Sequence, residues 1–149
     1  MIKTKHLINS IETSVYESLI GLAAGNDGLQ VIPECNSVVR KDYQTYRKTG
    51  KVMLISGGGS GHEPMFAGFV GSGLLTGAVS GEIFASPPPR KTLKLIETIG
   101  DKNGNNEILI IVANYTGDRL NFGLAREHAL LKGYKVEMFI FGEDVAFYG

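Results

Sequence analysis

The chain is 149 residues long, which is the usual size of one domain and enough to bury an apolar core. Its 15 Lys and Arg residues balance its 15 Asp and Glu residues, so no long-range field favours binding to nucleic acid or anionic lipid. Apolar residues make up 43% of the chain and charged residues 20%, which is typical of a folded protein rather than a disordered one.

Apolar residues recur with helical or strand-like spacing along most of the chain. The predicted elements, in chain order, are a helix at 10–24, strands at 29–32 and 51–56, a helix near 62–71, a short apolar segment at 75–79, a helix from 86 to 100, a strand at 107–113, a helix at 118–132 and a strand at 135–141. Ser10 is a candidate N-cap for the first helix, and Ser86 followed by three prolines indicates a helix start. The polar stretch 37–50 is ambiguous.

Strands and helices alternate in the second half of the chain, which predicts an α/β fold with a mostly parallel sheet. Helices are expected on both faces of the sheet, in a three-layer α/β/α arrangement. Because crossovers between parallel strands are right-handed, the strands point the same way and their carboxyl ends share one edge. Ligands bind beyond that edge in open α/β sheets, and the loops at 57–62, 114–118 and 142–144 all leave strands there. These loops are therefore predicted to form one site.

A glycine-rich loop follows the predicted strand at 51–56, and residues 57–64 read GGGSGHEP. Glycines let backbone N–H groups approach a ligand without an intervening side chain. The loop lacks the lysine of a phosphate-binding P-loop, and His62 stands where a dinucleotide fingerprint needs glycine. Ser60 and Glu63 have the spacing of a capping box, so they also fit the start of a helix.

Two side chains of the predicted site can exchange protons. His62 would lie near a helix N-terminus, where the helix dipole disfavours imidazolium and leaves a neutral imidazole that can accept a proton. Asp118 fits two interpretations, as the N-cap of the helix that follows or as the acceptor of a proton from a substrate hydroxyl. Asn114 and Thr116 fit either turn geometry or contact with the hydroxyl groups of a ligand.

Three segments together resemble the substrate-binding subunit of dihydroxyacetone kinases. They are 57–64 (GGGSGHEP), 81–87 (GEIFASP) and 114–122 (NYTGDRLNF), and they occur in the order found in that family. The resemblance extends over nearly the whole chain but covers only the first part of the subunit. We therefore expect residues 1–149 to be a truncated N-terminal domain of a subunit of this type.

The resemblance implies a role in phosphorylating dihydroxyacetone (glycerone), or glyceraldehyde in some members. It implies that Gly59, Ser60 and Gly61 present backbone groups to the ketose. His62 would hydrogen-bond a substrate hydroxyl and shuttle a proton, and Asp118 would act as the base toward the hydroxyl that attacks the γ-phosphoryl group. ATP and magnesium, or a phosphorylated carrier, would be bound by a partner subunit or domain, so no cofactor is expected in this chain.

The chain departs from the family pattern at Ala113, where the family usually has lysine, so a cation that would contact the substrate or phosphoryl group is missing. The family also binds its ketose covalently through a histidine in the second half of the subunit. We therefore expect this chain alone to be inactive. A catalytically silent paralogue, acting as a dihydroxyacetone-binding coactivator or sensor, stays open as an alternative, as does a fragment that serves only folding or dimerisation.

The single cysteine, Cys35, cannot form a disulfide within the chain and is expected to be a small buried apolar residue. A reducing cytoplasm is the natural location for such a chain. No apolar run approaches the roughly 18 residues of a membrane span, and no signal peptide is evident. Three scattered histidines, His6, His62 and His128, with one cysteine do not make a zinc site. We expect a cytoplasmic homodimer without metal, nucleic-acid or membrane partners.

Overall fold

A computed structural model describes residues 7–103 and 106–142. The helices are α1 (Ser14–Ala24), α2 (Tyr43–Arg47), α3 (Pro89–Ile99) and α4 (Thr116–Leu131), the strands are β1 (Leu29–Ile32), β2 (Ser37–Arg40), β3 (Met53–Ser60), β4 (Gly77–Ile83), β5 (Ile108–Ala113) and β6 (Val136–Phe141), and 3-10 turns occupy Pro33–Cys35 and Ala67–Phe69. The predicted elements after residue 86 are confirmed with shifts of a few residues. The first helix begins at Ser14 rather than at residue 10.

The six strands form one sheet in the order β1-β2-β4-β3-β5-β6. Strand β3 pairs in parallel with β4 and β5, and β5 pairs in parallel with β6. Strand β2, however, runs antiparallel to both β1 and β4. The α/β class is confirmed, but the sheet is mixed, and the prediction of a mostly parallel sheet is wrong.

The antiparallel part of the sheet arises from the stretch that the sequence left ambiguous. A single 3-10 turn, Pro33–Cys35, and Asn36 with a φ of 48° connect β1 to β2. A connection this short can only join antiparallel strands, because a parallel crossover needs a dozen or more residues. Strand β2 is short and ends in a polar residue, so its local sequence does not predict a strand.

Alternate residues of the strands enter two separate apolar clusters. Val38 and Ala78 pack in a cluster with Leu19 of α1. Their chain neighbours Val39 and Val79 pack in a second cluster, which also contains buried residues of α3 and α4. Because successive side chains of a strand point to opposite faces, the sheet separates the two clusters.

The segment after residue 56 differs most from its prediction. Strand β3 continues to Ser60, so the three glycines at 57–59 lie within the sheet rather than in a loop. A side chain at Gly57 would collide with the carbonyl oxygen of Val79, so the close approach of β3 and β4 requires glycine there. No α-helix forms at 62–71, where turns and the 3-10 turn Ala67–Phe69 stand instead. Proline and several glycines in this stretch disfavour a helix, at about 3 and 1 kcal/mol per residue relative to alanine.

Two further predictions concern burial and membranes. Cys35 is fully buried, as expected for a small apolar residue. Within 7–103 and 106–142, no helix has both the length and the apolar character needed to cross a membrane. His6 and the end of the predicted loop at 142–144 lie outside the described residues.

Candidate functional site

A cavity of about 580 Å³ opens at the carboxyl ends of the parallel strands. The ends of β3, β5 and β6 line it, together with the segments that follow β3, β4 and β5. His62, Ser86 and Asp118 are among its polar side chains, and Phe66 and Phe84 among its aromatic ones. The strand ends thus bring distant parts of the sequence to one edge of the sheet, as the sequence predicted.

His62 and Asp118 line the same cavity, although 55 intervening residues separate them in the chain. Asp118 is 7% exposed, whereas His62 is exposed. Burial raises the pKa of the Asp118 carboxyl above its usual range, and a hydrogen bond from Ser86 and the charge of His62 oppose this only in part. A carboxyl group with a raised pKa that shares a cavity with an imidazole is a candidate for proton transfer.

Asp118 does not cap helix α4. The N-cap is Tyr115, whose side chain makes no capping bond, and Asp118 lies in the first turn of the helix. Its Oδ1 instead accepts a hydrogen bond from Oγ of Ser86 at 2.5 Å. The capping interpretation of Asp118 is therefore wrong, and the carboxylate bonds Ser86 and lines the cavity instead.

Ser86 does not cap a helix either. The N-cap of α3 is Pro88, with no side-chain capping bond. The three prolines do mark the helix start, but the hydroxyl of Ser86 contacts Asp118 in another part of the chain. Nothing in the local sequence around Ser86 indicates this partner, because a serine before prolines is typical of a cap.

His62 does not lie at a helix N-terminus, because no α-helix starts near it. The expected effect of a helix dipole on its imidazole is therefore wrong. Its ring instead contacts Phe84 edge to face, with ring centroids 5.3 Å apart and an interplanar angle of 77°. Phe84 has a φ of 51°, a left-handed conformation that is rare for a bulky residue, and the sequence contains no signal for it.

The three residues before His62 differ in whether they line the cavity. Gly59 lines the cavity, whereas Ser60 and Gly61 are not among the described residues that do. Oγ of Ser60 is buried and donates to the carbonyl oxygen of Gly81 at 2.7 Å, which ties β3 to β4. The N–H of Gly61 donates to the carboxylate of Glu63 at 3.0 and 3.2 Å. The predicted capping box is therefore wrong, since Ser60 and Glu63 bond to other groups and no helix follows.

Ala113, which replaces the lysine usual in the resembling family, is the last residue of β5 and lines the cavity. Neither lysine nor arginine lines the cavity among the described residues. Asn114 follows Ala113, and its Oδ1 accepts a hydrogen bond from Nη1 of Arg119 at 3.3 Å. No group of three His, Cys, Asp or Glu side chains within 7–103 and 106–142 is arranged to hold a metal ion.

The Dak1 domain model matches residues 20–148, and the chain belongs to the Dak1 domain family. It is 47% identical over 144 residues to the triokinase/FMN cyclase of Mus musculus, covering 97% of this chain and 24% of that protein. It is 43% identical over 142 residues to the dihydroxyacetone-binding subunit DhaK of the PEP-dependent dihydroxyacetone kinase of Escherichia coli K12, covering 95% of this chain and 38% of that subunit.

A solved structure has the same fold. The crystal structure of the dihydroxyacetone kinase from C. freundii, in complex with AMP-PNP and Mg²⁺, superposes with a TM-score of 0.85 at 40% sequence identity. The match covers 98% of this chain and 27% of that one. The chain thus spans about a quarter of the length of most of these relatives.

Proposed function

We propose that this domain binds dihydroxyacetone or a closely related triose and presents one of its hydroxyl groups for phosphorylation. The observation that carries the proposal is the placement of His62 and the buried Asp118 in one cavity at the carboxyl ends of parallel strands. The names of the relatives support the choice of substrate, since they include a dihydroxyacetone-binding subunit and a dihydroxyacetone kinase.

Asp118 acts as the general base in this proposal. A substrate hydroxyl gives its proton to the carboxylate while its oxygen attacks the phosphorus of the donor. The O–H bond of the substrate and the bond from phosphorus to the donor's leaving group break, an O–H bond on Asp118 and a P–O bond to the substrate form, and the leaving group departs with the donor. Burial raises the pKa of Asp118, which makes the carboxylate a stronger base than an exposed aspartate. His62, which lines the same cavity, donates a hydrogen bond to the substrate and shuttles a proton.

Backbone groups hold the substrate in this proposal. Gly59 lines the cavity and presents its backbone there without a side chain in the way. We propose that Ser60 and Gly61 contribute through the shape of the turn, since the hydroxyl of Ser60 is occupied by Gly81. Phosphoryl transfer depends mainly on positioning and charge stabilisation, so a well-oriented hydroxyl is the main contribution of this domain.

The phosphoryl donor belongs to another subunit or domain in this proposal. Among the described residues, neither a metal-binding cluster nor a cationic lining residue is available to hold a nucleotide and its magnesium ion. ATP with magnesium, or a phosphorylated carrier, would therefore be brought to the cavity by a partner. The C. freundii structure contains AMP-PNP and Mg²⁺.

Three broader features complete the proposal. The two apolar clusters support helices on both faces of the sheet, in three layers. Phe139 and Ile140 of the edge strand β6 are 59% and 36% exposed, which supports a homodimer that buries them. The single buried cysteine supports a reducing, cytoplasmic location.

Kinetics of the full-length protein with its phosphoryl donor test the proposal. We expect His62→Ala and Asp118→Asn to lower kcat/KM for dihydroxyacetone by roughly a hundredfold or more, since each removes a proton-transfer group. His128→Ala and Asp27→Asn serve as matched controls, because neither side chain lines the cavity. Unchanged turnover in both site variants would refute the roles proposed for His62 and Asp118.

A further inference from the structure

Ser86 contacts Asp118 across 32 positions of the chain. It lies between β4 and α3, and its Oγ–H donates to Oδ1 of Asp118 at 2.5 Å. Both residues line the cavity. A serine hydroxyl has one proton to donate, so this bond uses the whole donor capacity of the Ser86 side chain.

The backbone around Ser86 is held in place on both sides. The segment folds back over Gly81 so closely that a Cβ atom there would lie 2.7 Å from the backbone nitrogen of Pro87. Pro87 restricts Ser86 to extended backbone conformations, and Pro88 has the φ of −64° and ψ of 148° typical of polyproline II. The backbone of Ser86 is therefore restrained, so its hydroxyl group can hold a carboxylate in one orientation.

The hydrogen bond makes the two oxygens of Asp118 unequal. Oδ1 is occupied by Ser86. Oδ2 lies on the side of Gly58, another lining residue, where an added Cβ atom would be 3.8 Å from it. Oδ2 is thus the oxygen left to receive a proton from a bound hydroxyl.

We infer that Ser86 is a positioning residue, which holds Oδ1 of Asp118 so that Oδ2 faces the substrate as the proton acceptor. The inference rests on the proposed function, in which Asp118 is the general base. Ser86 acts through Asp118 rather than on the substrate. It supplies the same control of orientation that a buried partner supplies to other catalytic side chains.

The charges around Asp118 determine the sign of the expected pH effect. Burial raises its pKa, while the hydrogen bond from Ser86 and the charge of His62 lower it. Tyr115 also lines the cavity, and Arg119 on the same helix is turned toward Oδ1 of Asn114. Removing the hydroxyl of Ser86 therefore raises the pKa of Asp118, and the base becomes protonated at a higher pH.

The test uses the full-length protein as Ser86→Ala and Ser86→Thr variants, with Ser72→Ala as the matched control outside this cavity. The first readout is the pKa of Asp118, measured from its carboxyl carbon by NMR and assigned with Asp118→Asn. The second is the pH profile of kcat and KM for dihydroxyacetone. We expect Ser86→Ala to raise the pKa, to move the acidic limb of kcat/KM to higher pH by the same amount, and to lower kcat by about tenfold to a hundredfold with little change in KM.

Ser86→Thr keeps a hydroxyl and should retain the wild-type pKa and most of kcat. An unchanged pKa of Asp118 in Ser86→Ala would overturn the inference whether or not the protein phosphorylates a triose. A raised pKa with an unchanged kcat would also overturn it, because the hydrogen bond would then have no positioning role. Absence of turnover in the wild type would instead refute the proposed function, and the NMR titration would still report on the contact.

Discussion

The ring of Phe84 stands edge-on against the imidazole of His62, with the ring centroids 5.3 Å apart. Phe84 is 72% exposed and holds this position with a φ of 51°. Strained backbone at the edge of a cavity is typical of functional sites, where the surrounding structure imposes it. Both rings line the cavity, so this contact lies at its edge, although His62 itself is exposed.

Replacing Phe84 separates the effect of its ring on activity from the effect of its left-handed backbone conformation on the free energy of unfolding. Phe84→Ala and Phe84→Gly both remove the contact with His62, so we expect both to lower kcat/KM to a similar extent. Only glycine adopts a positive φ without strain, so Phe84→Ala should be about 1 kcal/mol less stable than Phe84→Gly. Urea unfolding of the two variants measures the difference. Equal stabilities would show that the left-handed conformation costs nothing here.

The burial of Asp118 should be visible in the pH dependence of stability. Its folded pKa is raised above its usual 3.8, so the folded state binds the proton more tightly than the unfolded state. Its contribution to stability is therefore fully present below the unfolded pKa and is lost as pH rises through the folded pKa. Asp118→Asn has no charge to bury, so it should gain stability relative to the wild type as pH rises above the unfolded pKa and through the raised folded pKa.

Urea unfolding of wild type and Asp118→Asn at several pH values in that range checks this prediction. Asp27→Asn is the control, since Asp27 is exposed. A stability difference between wild type and Asp118→Asn that does not change with pH would contradict the raised pKa. The same variant should lose activity, which would make Asp118 a residue that function retains at a cost in stability.

Gly58 leaves open the space between Asp118 and the aromatic wall of the cavity. A Cβ atom at Gly58 would lie 3.2 Å from Cε2 of Phe66 and 3.8 Å from Oδ2 of Asp118. We expect Gly58→Ala to fold after a small shift of the Phe66 ring and to raise KM by about tenfold, since the methyl group occupies space beside the proton acceptor. Steady-state kinetics and a thermal melt measure the two effects.

Gly21→Ala is the matched control for Gly58→Ala, because Gly21 lies in α1 with no atom near its added methyl group. That change should leave kinetics unaltered and stabilise the helix by roughly 0.5–1 kcal/mol. An unchanged KM in Gly58→Ala would place the bound substrate away from Oδ2 of Asp118.

Ala113 separates the kinase from the coactivator alternative. It is 7% exposed and lines a cavity that lacks a cation among its described residues. If the domain presents a hydroxyl for phosphoryl transfer, Ala113→Lys should raise turnover by about tenfold or more, because the ammonium group stabilises the charge that develops on the phosphoryl oxygens. Phosphorylation assays of the full-length protein with its donor measure the gain.

Ala113→Met is the control, since it adds similar length without charge. A gain with lysine but not with methionine would count against a silent sensor. Dihydroxyacetone binding in calorimetry, without a gain in either variant, would favour the coactivator interpretation.

The sequence predicted the parts of the fold that depend on local pattern. The apolar run at 108–112 indicated a buried strand, and the spacing of apolar residues at 118–132 indicated a helix. Both patterns are local, because they reflect which side chains of one element are buried. The order of these elements was enough to place the carboxyl ends of β3 and β5 at one edge. His62 and Asp118 line one cavity at that edge, as the order of the elements predicted.

The class of fold and the edge of the sheet that carries the polar side chains could be predicted from the apolar periodicity of each segment and the order of the segments in the chain. Three features became visible only in the folded chain: the hydrogen bond from Ser86 to Asp118, the place of the glycines at 57–59 within a strand, and the antiparallel direction of β2. Each of these depends on which distant group a backbone or hydroxyl finds as its partner. The local sequence does not reveal that partner, because a backbone group or a hydroxyl has the same donors and acceptors whichever distant group it bonds.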